Sequence, residues 1–184
     1  PLTEQPEYNG TQLIHSKVIA SYLRQLLRND LQYAPFRMEG MEQDVREMME
    51  IDTPQGKLAL QIGGTIDRLD SKGDTLRIVD YKTGGTPKTP ENIEQLFTPA
   101  DNRPNYIFQT FLYAAILCRK QSLKVAPSLL YIHRAASESY SPVIEMGAPR
   151  QPKVPVNNFA FFEDEFRERL HGLLQEIFSQ EETF

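Results

Sequence analysis

The sequence predicts an α/β sandwich built around a mixed β-sheet. Apolar periodicity runs in the order helix, three strands, helix, strand, helix, an alternation that places a sheet between helical layers. The 184 residues, 40% hydrophobic and 24% charged, suit one globular domain spanning 1–184 with a sizeable core. The segment Gly63 to Gly85, GGTIDRLDSKGDTLRIVDYKTGG, reads as a β-hairpin with carboxylates where a strand interior wants apolar side chains.

Residues 1–10 are polar, contain Pro1, Pro6 and Gly10, and read as a lead-in loop. Thr11 to Leu31 follows as a helix, with Leu13, Ile14, Val18, Tyr22, Leu26 and Leu27 at helical spacing and Asn9 or Thr11 able to cap it. Phe36 to Asp52 is the first strand and Lys57 to Asp70 the second, joined by the turn Thr53-Pro54-Gln55-Gly56. Thr75 to Thr83 is the third, after a turn at Ser71-Lys72-Gly73-Asp74.

Gly84 to Arg103 is long for a loop in a compact domain, which marks it as functional or mobile. A short helix fits Glu91 to Phe97, and Lys88 and Arg103 are candidates for contacts to a DNA backbone. Pro104 to Lys120 is a helix apolar almost all round, hence buried, and Ala126 to Arg134 is a buried strand. Ser139 to Met146 reads as an edge strand interrupted by Pro142, 147–157 as a Pro-rich linker, and Asn158 to Gln180 as a closing amphipathic helix.

The net charge of −5 is the wrong sign for a protein that coats nucleic acid. The acid excess lies outside Lys57–Arg134, where bases outnumber acids, so a local phosphate-binding groove is permitted. One cysteine, Cys118, excludes an internal disulfide and a Cys-ligated Fe–S cluster, and its apolar helix makes it a core residue. No apolar run is long enough to span a membrane and no leader pattern opens the chain, which sets the expectation of a cytoplasmic protein. The first residue is Pro1 rather than Met, so the expectation is a piece of a longer protein.

Register decides what the hairpin acids can do. Pairing Ser71 with Asp74 sets Asp67 opposite Ile78, Thr65 opposite Asp80 and Gly63 opposite Lys82. Asp67, Asp80 and Lys82 then share a face, the two acids diagonal with Cα atoms roughly 7–8 Å apart. Converging carboxylates beside an ammonium suit a hard divalent cation such as Mg²⁺, and Gly63 leaves room for a ligand or the lysine side chain. A turn with one extra residue would move Asp67 to the other face. The alternative is a surface hairpin with ordinary charges, which accounts for Asp70, Lys72, Asp74 and Arg77. It accounts less well for Asp67, Asp80 and Lys82 amid Ile66, Ile78 and Val79, because unpaired buried charges are costly.

The motif G-x-I-D-R-x-D, then I-V-D-Y-K-T-G, running without a gap from Gly64 to Gly84, resembles the active-site hairpin of the PD-(D/E)XK nucleases, specifically the RecB/AddB-type branch. Gln109 and Tyr113 form Q-x-x-x-Y, which resembles the helix motif that follows the hairpin in that branch. The resemblance implies a restriction-endonuclease-like fold and a metal-dependent DNA nuclease, an exonuclease in double-strand-break repair or recombination. It would work with a helicase domain or subunit. It implies Asp67, Asp80 and the Tyr81 carbonyl as ligands of Mg²⁺ or Mn²⁺, Lys82 orienting a water, Gln109 positioning Lys82 and the scissile phosphate, and Tyr113 near DNA.

Two further residues enter through the same likeness. Relatives often carry a His on an upstream helix and a Glu in the first strand. His15 and Glu42 stand at such places, each also explained as a solvated surface residue. The alternative to an enzyme is a catalytically inactive DNA-binding or structural module of the same fold. No G-x-x-x-x-G-K-[ST] occurs, so the glycines after Lys82 are not a nucleotide phosphate loop.

Overall fold

The computed structural model describes residues 9–137 and 139–179. The lead-in loop over 1–8 and the helix end at Gln180 lie outside the described residues. Helix α1 (Gly10–Tyr33) begins with a reciprocal cap, the Asn9 side chain accepting from the Gln12 N–H and the Gln12 side chain accepting from the Asn9 N–H. Strands β1 (Arg37–Thr53), β2 (Gly56–Lys72) and β3 (Thr75–Lys82) form an antiparallel meander. Helix α2 (Asn105–Cys118) crosses over and returns the chain as β4 (Lys124–Tyr131), parallel to β3. The sheet order is β1-β2-β3-β4. Helix α3 (Glu163–Ser179) closes the chain.

Each sheet face has its own cover. Ile78, Leu129 and Tyr131 join the main core with Ile107, Phe111 and Ala114 of α2 and Phe166 of α3. Val79 and Leu130, pointing the other way, pack with Tyr22 and Leu26 of α1. Burial on both faces explains why β4 reads as a nearly continuous apolar run. Arg167 of α3 ties three elements together: it is paired with Glu47 of β1 at 2.8 Å and donates to the Ala115 carbonyl of α2. This mixed sheet with helices on both faces is the restriction-endonuclease-like arrangement.

Several boundaries differ from the sequence reading. The short helix expected at Glu91–Phe97 is a single 3₁₀ turn, Glu94–Leu96. The strand expected to reach Arg134 ends at Tyr131, and a 3₁₀ turn over Ile132–Arg134 turns His133 out to solvent. The edge strand expected over Ser139–Met146 reduces to one bridge from Val143 to Ser128 and a two-residue strand, β5 (Glu145–Met146). Strand β5 pairs with β6 (Val154–Pro155), inside the segment read as linker. Prolines at 142, 149, 152 and 155 lack the N–H groups a longer ladder needs.

Only part of the apolar stripe expected on α1 is used. Tyr22 and Leu26 pack inward, whereas Ile14 and Leu27 are 63% exposed and Leu13 and Val18 are also exposed. Asn29 and Tyr33 complete the inward face. Its anchor is polar: Asp30 grips Arg68 at 2.9 Å, and Tyr33 lies under the Arg77 guanidinium, 3.5 Å from ring centroid to Cζ.

Candidate active site

The β2–β3 turn is as short as the sequence reading assumed but sits one residue further along the chain. Lys72 pairs with Thr75, so the loop is Gly73-Asp74 alone and the register moves by two residues. An even shift keeps every side chain on its expected face. Asp67 thus no longer stands diagonal to Asp80; the same register, continued, sets the two directly opposite. The ladder itself ends at Arg68↔Val79. One step beyond, Asp67 Oδ2 accepts the backbone N–H of Tyr81 at 2.8 Å, replacing a ladder bond with a side-chain bond.

Asp80 is 5% exposed, and its Oδ2 lies 2.5 Å from Lys82 Nζ. The approach lacks hydrogen-bond angles, so this buried oxygen has an ionic neighbour but no aimed donor. Burial raises the Asp80 pKa, the Lys82 ammonium opposes the rise, and the charge of Asp67 adds to it. Asp67 and Asp80 are therefore near enough to repel. Lys82 Nζ also lies 4.2 Å from the centre of the Tyr106 ring.

Gly63 does not open space opposite Lys82, as the first register had it. It pairs with Arg46 of β1, has φ +139°, and a Cβ there would lie 2.0 Å from the Val45 carbonyl. Gly64 serves a different contact, since a Cβ there would meet the Tyr113 hydroxyl at 2.7 Å. Tyr113 is thus buried against β2 with 4% exposure rather than turned to solvent, and its hydroxyl accepts from Gln109 Nε2 at 2.9 Å. The Q-x-x-x-Y pair is joined within itself, one turn of α2 apart.

The other candidates make no hydrogen bond or ion pair with the two carboxylates among the described residues. His15 is exposed on α1. Glu42 falls level with Asp67 in the β1–β2 register, but it is exposed and adopts the left-handed conformation, φ +48°. Among the described residues no third His, Cys, Asp or Glu groups with Asp67 and Asp80 into a metal cluster. Lys88 is drawn into its own loop, donating to the Asn102 and Arg103 carbonyls, and Arg103 Nε donates to Asn105 Oδ1 at 2.8 Å.

Sequence reasoning missed the network behind the site. Asp70 and Arg77, read as ordinary surface charges, are 0% and 3% exposed. Asp70 accepts from Arg68 Nε at 2.9 Å and from both Arg77 Nε and Nη2. Arg68 Nη1 bridges Asp30 of α1 and the Tyr81 hydroxyl, at 2.9 and 3.1 Å. Tyr81 is held at both ends, its ring by Arg68 and its N–H by Asp67. Tyr131 was missed too, although β4 sets it beside Lys82. The alternation Leu129-x-Tyr131, on the face that holds Lys82, was the signal for it.

The donor set fits a hard divalent cation: two opposed carboxylates, one with a buried oxygen lacking a hydrogen bond. The family model for the PD-(D/E)XK nuclease superfamily matches residues 2–183. No curated protein matches the chain. Among the described residues, no helix is long and apolar enough to cross a membrane.

Proposed function

We propose, since the chain belongs to the PD-(D/E)XK nuclease superfamily, that it is a metal-dependent deoxyribonuclease acting from the Asp67–Asp80–Lys82 cluster. The observation that carries the reading is Asp80: a buried carboxylate whose unbonded oxygen faces an ammonium and a second carboxylate. Asp67, Asp80 and the Tyr81 carbonyl would hold Mg²⁺ or Mn²⁺. When bound, such an ion supplies a water of lowered pKa and neutralises phosphate charge.

The chain's own groups do the rest. Asp67 holds the N–H of Tyr81 and Arg68 its hydroxyl, which fixes the residue whose carbonyl would complete the ligand set. Lys82, steadied over the Tyr106 ring, orients the attacking water and stabilises negative charge growing on the phosphate. Gln109, held by Tyr113, positions Lys82 and the scissile phosphate. The RecB-like motifs support an exonuclease that processes broken DNA ends beside a helicase; that part of the reading rests on the resemblance alone.

Cleavage of end-labelled single- and double-stranded DNA by wild type and Asp80→Ala, with Mg²⁺ or EDTA, tests the reading. Degradation by wild type alone, and only with metal, is expected. DNA binding without cleavage would instead favour the inactive module.

A further inference from the structure

A cavity of about 340 Å³ is lined by two neighbours of Lys82, Tyr106 and Tyr131. Its walls include Gly85, Lys88, Asp101 and Arg103 of the loop, Tyr106 at the start of α2 and Tyr131 at the end of β4. The metal-site chemistry uses neither tyrosine directly. Tyr106 is 46% exposed even though Lys82 Nζ lies over its ring.

Tyr131 is only 3% exposed. The neighbouring Tyr140 hydroxyl accepts from the Tyr131 N–H and donates to the Leu129 carbonyl. The Tyr131 hydroxyl makes no hydrogen bond to the described residues and is not sealed from solvent, so it has a donor to offer to the cavity that Tyr131 lines. Tyr131 itself pairs with Lys82 across the β3–β4 ladder.

We propose that this cavity binds one unpaired deoxynucleoside of the strand being cut, its base on the Tyr106 ring and the Tyr131 hydroxyl donating to the adjoining sugar or phosphate. The proposal rests on the nuclease reading above. The volume lies at the small end of ligand cavities, roughly 300–1,000 Å³, with room for a base and its sugar but not for a base pair. The phosphate stays at Lys82, against the Tyr106 ring, and the base enters. An aromatic face accepts any base, so the site selects an unstacked strand rather than a sequence. Lys88 and Arg103, tied into the loop, hold the wall in shape.

Binding of fluorescein-labelled oligothymidylate to the full chain, followed by anisotropy in EDTA, tests the cavity without catalysis. Tyr106→Ala is expected to weaken binding about tenfold and Tyr131→Phe about threefold, with melting temperatures unchanged. In cleavage assays, one abasic position walked along a single strand should lower wild-type kcat/KM about tenfold at one place and leave Tyr106→Ala indifferent. Equal binding by all three proteins, or an abasic cost that survives Tyr106→Ala, overturns the proposal. Wild type that cuts while the variants bind alike leaves the nuclease reading standing and removes the cavity. Wild type that never cuts, but binds with the expected ranking, does the reverse.

Discussion

Asp67 Oδ2 accepts the Tyr81 N–H at 2.8 Å, where the β2–β3 ladder has just ended. One carboxylate thus terminates a sheet and faces Asp80. The two duties separate by mutation. Asp67→Asn keeps an acceptor for the N–H and should fold with near wild-type stability while losing Mg²⁺-dependent cleavage. Asp67→Ala should lose both, with a stability cost of about 1–2 kcal/mol in urea denaturation. Full cleavage by Asp67→Asn would remove Asp67 from the ligand set.

Asp80 predicts a pH dependence of definite sign. An acid whose pKa is raised on folding favours the native state below its unfolded value and loses that contribution as pH rises through the folded one. Starting from the ordinary 3.8, wild type should therefore lose stability toward neutral pH relative to Asp80→Asn. Melting curves of both proteins between pH 4 and 7, read as the difference between them, check this. A site for function that costs stability is a common bargain.

Metal should reverse that deficit. Ions that bind only the native state stabilise by mass action, about 1.4 kcal/mol at tenfold excess over Kd. Mg²⁺ or Mn²⁺ should raise the melting temperature of wild type and leave Asp80→Asn unmoved. Equal shifts in the two proteins would place the ion elsewhere.

The charges behind the site are structural. Asp70 sits between two buried guanidinium groups, and Asp70→Ala leaves Arg77 without its carboxylate and Arg68 with Asp30 alone. We expect a loss of about 3–5 kcal/mol, measurable by chemical denaturation. A surface residue would lose less than one.

Gly64 and Tyr113 should behave as a coupled pair. Gly64→Ala drives a methyl against the Tyr113 hydroxyl at 2.7 Å and ring at 3.1 Å, a cost of about 1–3 kcal/mol. Removing the hydroxyl with Tyr113→Phe should recover part of it. Strict additivity in the double-mutant cycle would mean the two do not touch.

The strands and the crossover helix were legible because their apolar content leaves little choice. Ile78, Val79, Leu129 and Leu130 are buried whichever way they point. The face shared by Asp67, Asp80 and Lys82 was legible because a period of two survives a register error of two. The register was not, since Gly73 fits either of two equally short loops, Lys72-Gly73 or Gly73-Asp74. The Arg68–Asp70–Arg77 cluster was hidden for a different reason. Sequence shows charges but not their partners, and Asp30 lies far away in the chain. On α1 the leucines suggested an inward face, whereas the helix is anchored by Asp30 and Tyr33.

The parallel seam between β3 and β4 also bears on how the molecule comes together. The carboxylates and the lysine lie on a meander closed by nearby turns, whereas Tyr131 reaches Lys82 only after the whole α2 excursion has been accommodated. Short-range closures precede long ones in time. The chain should thus acquire its cation-binding ribbon before the wall beside it, with Val79 mutations slowing refolding and Leu130 mutations mainly hastening unfolding.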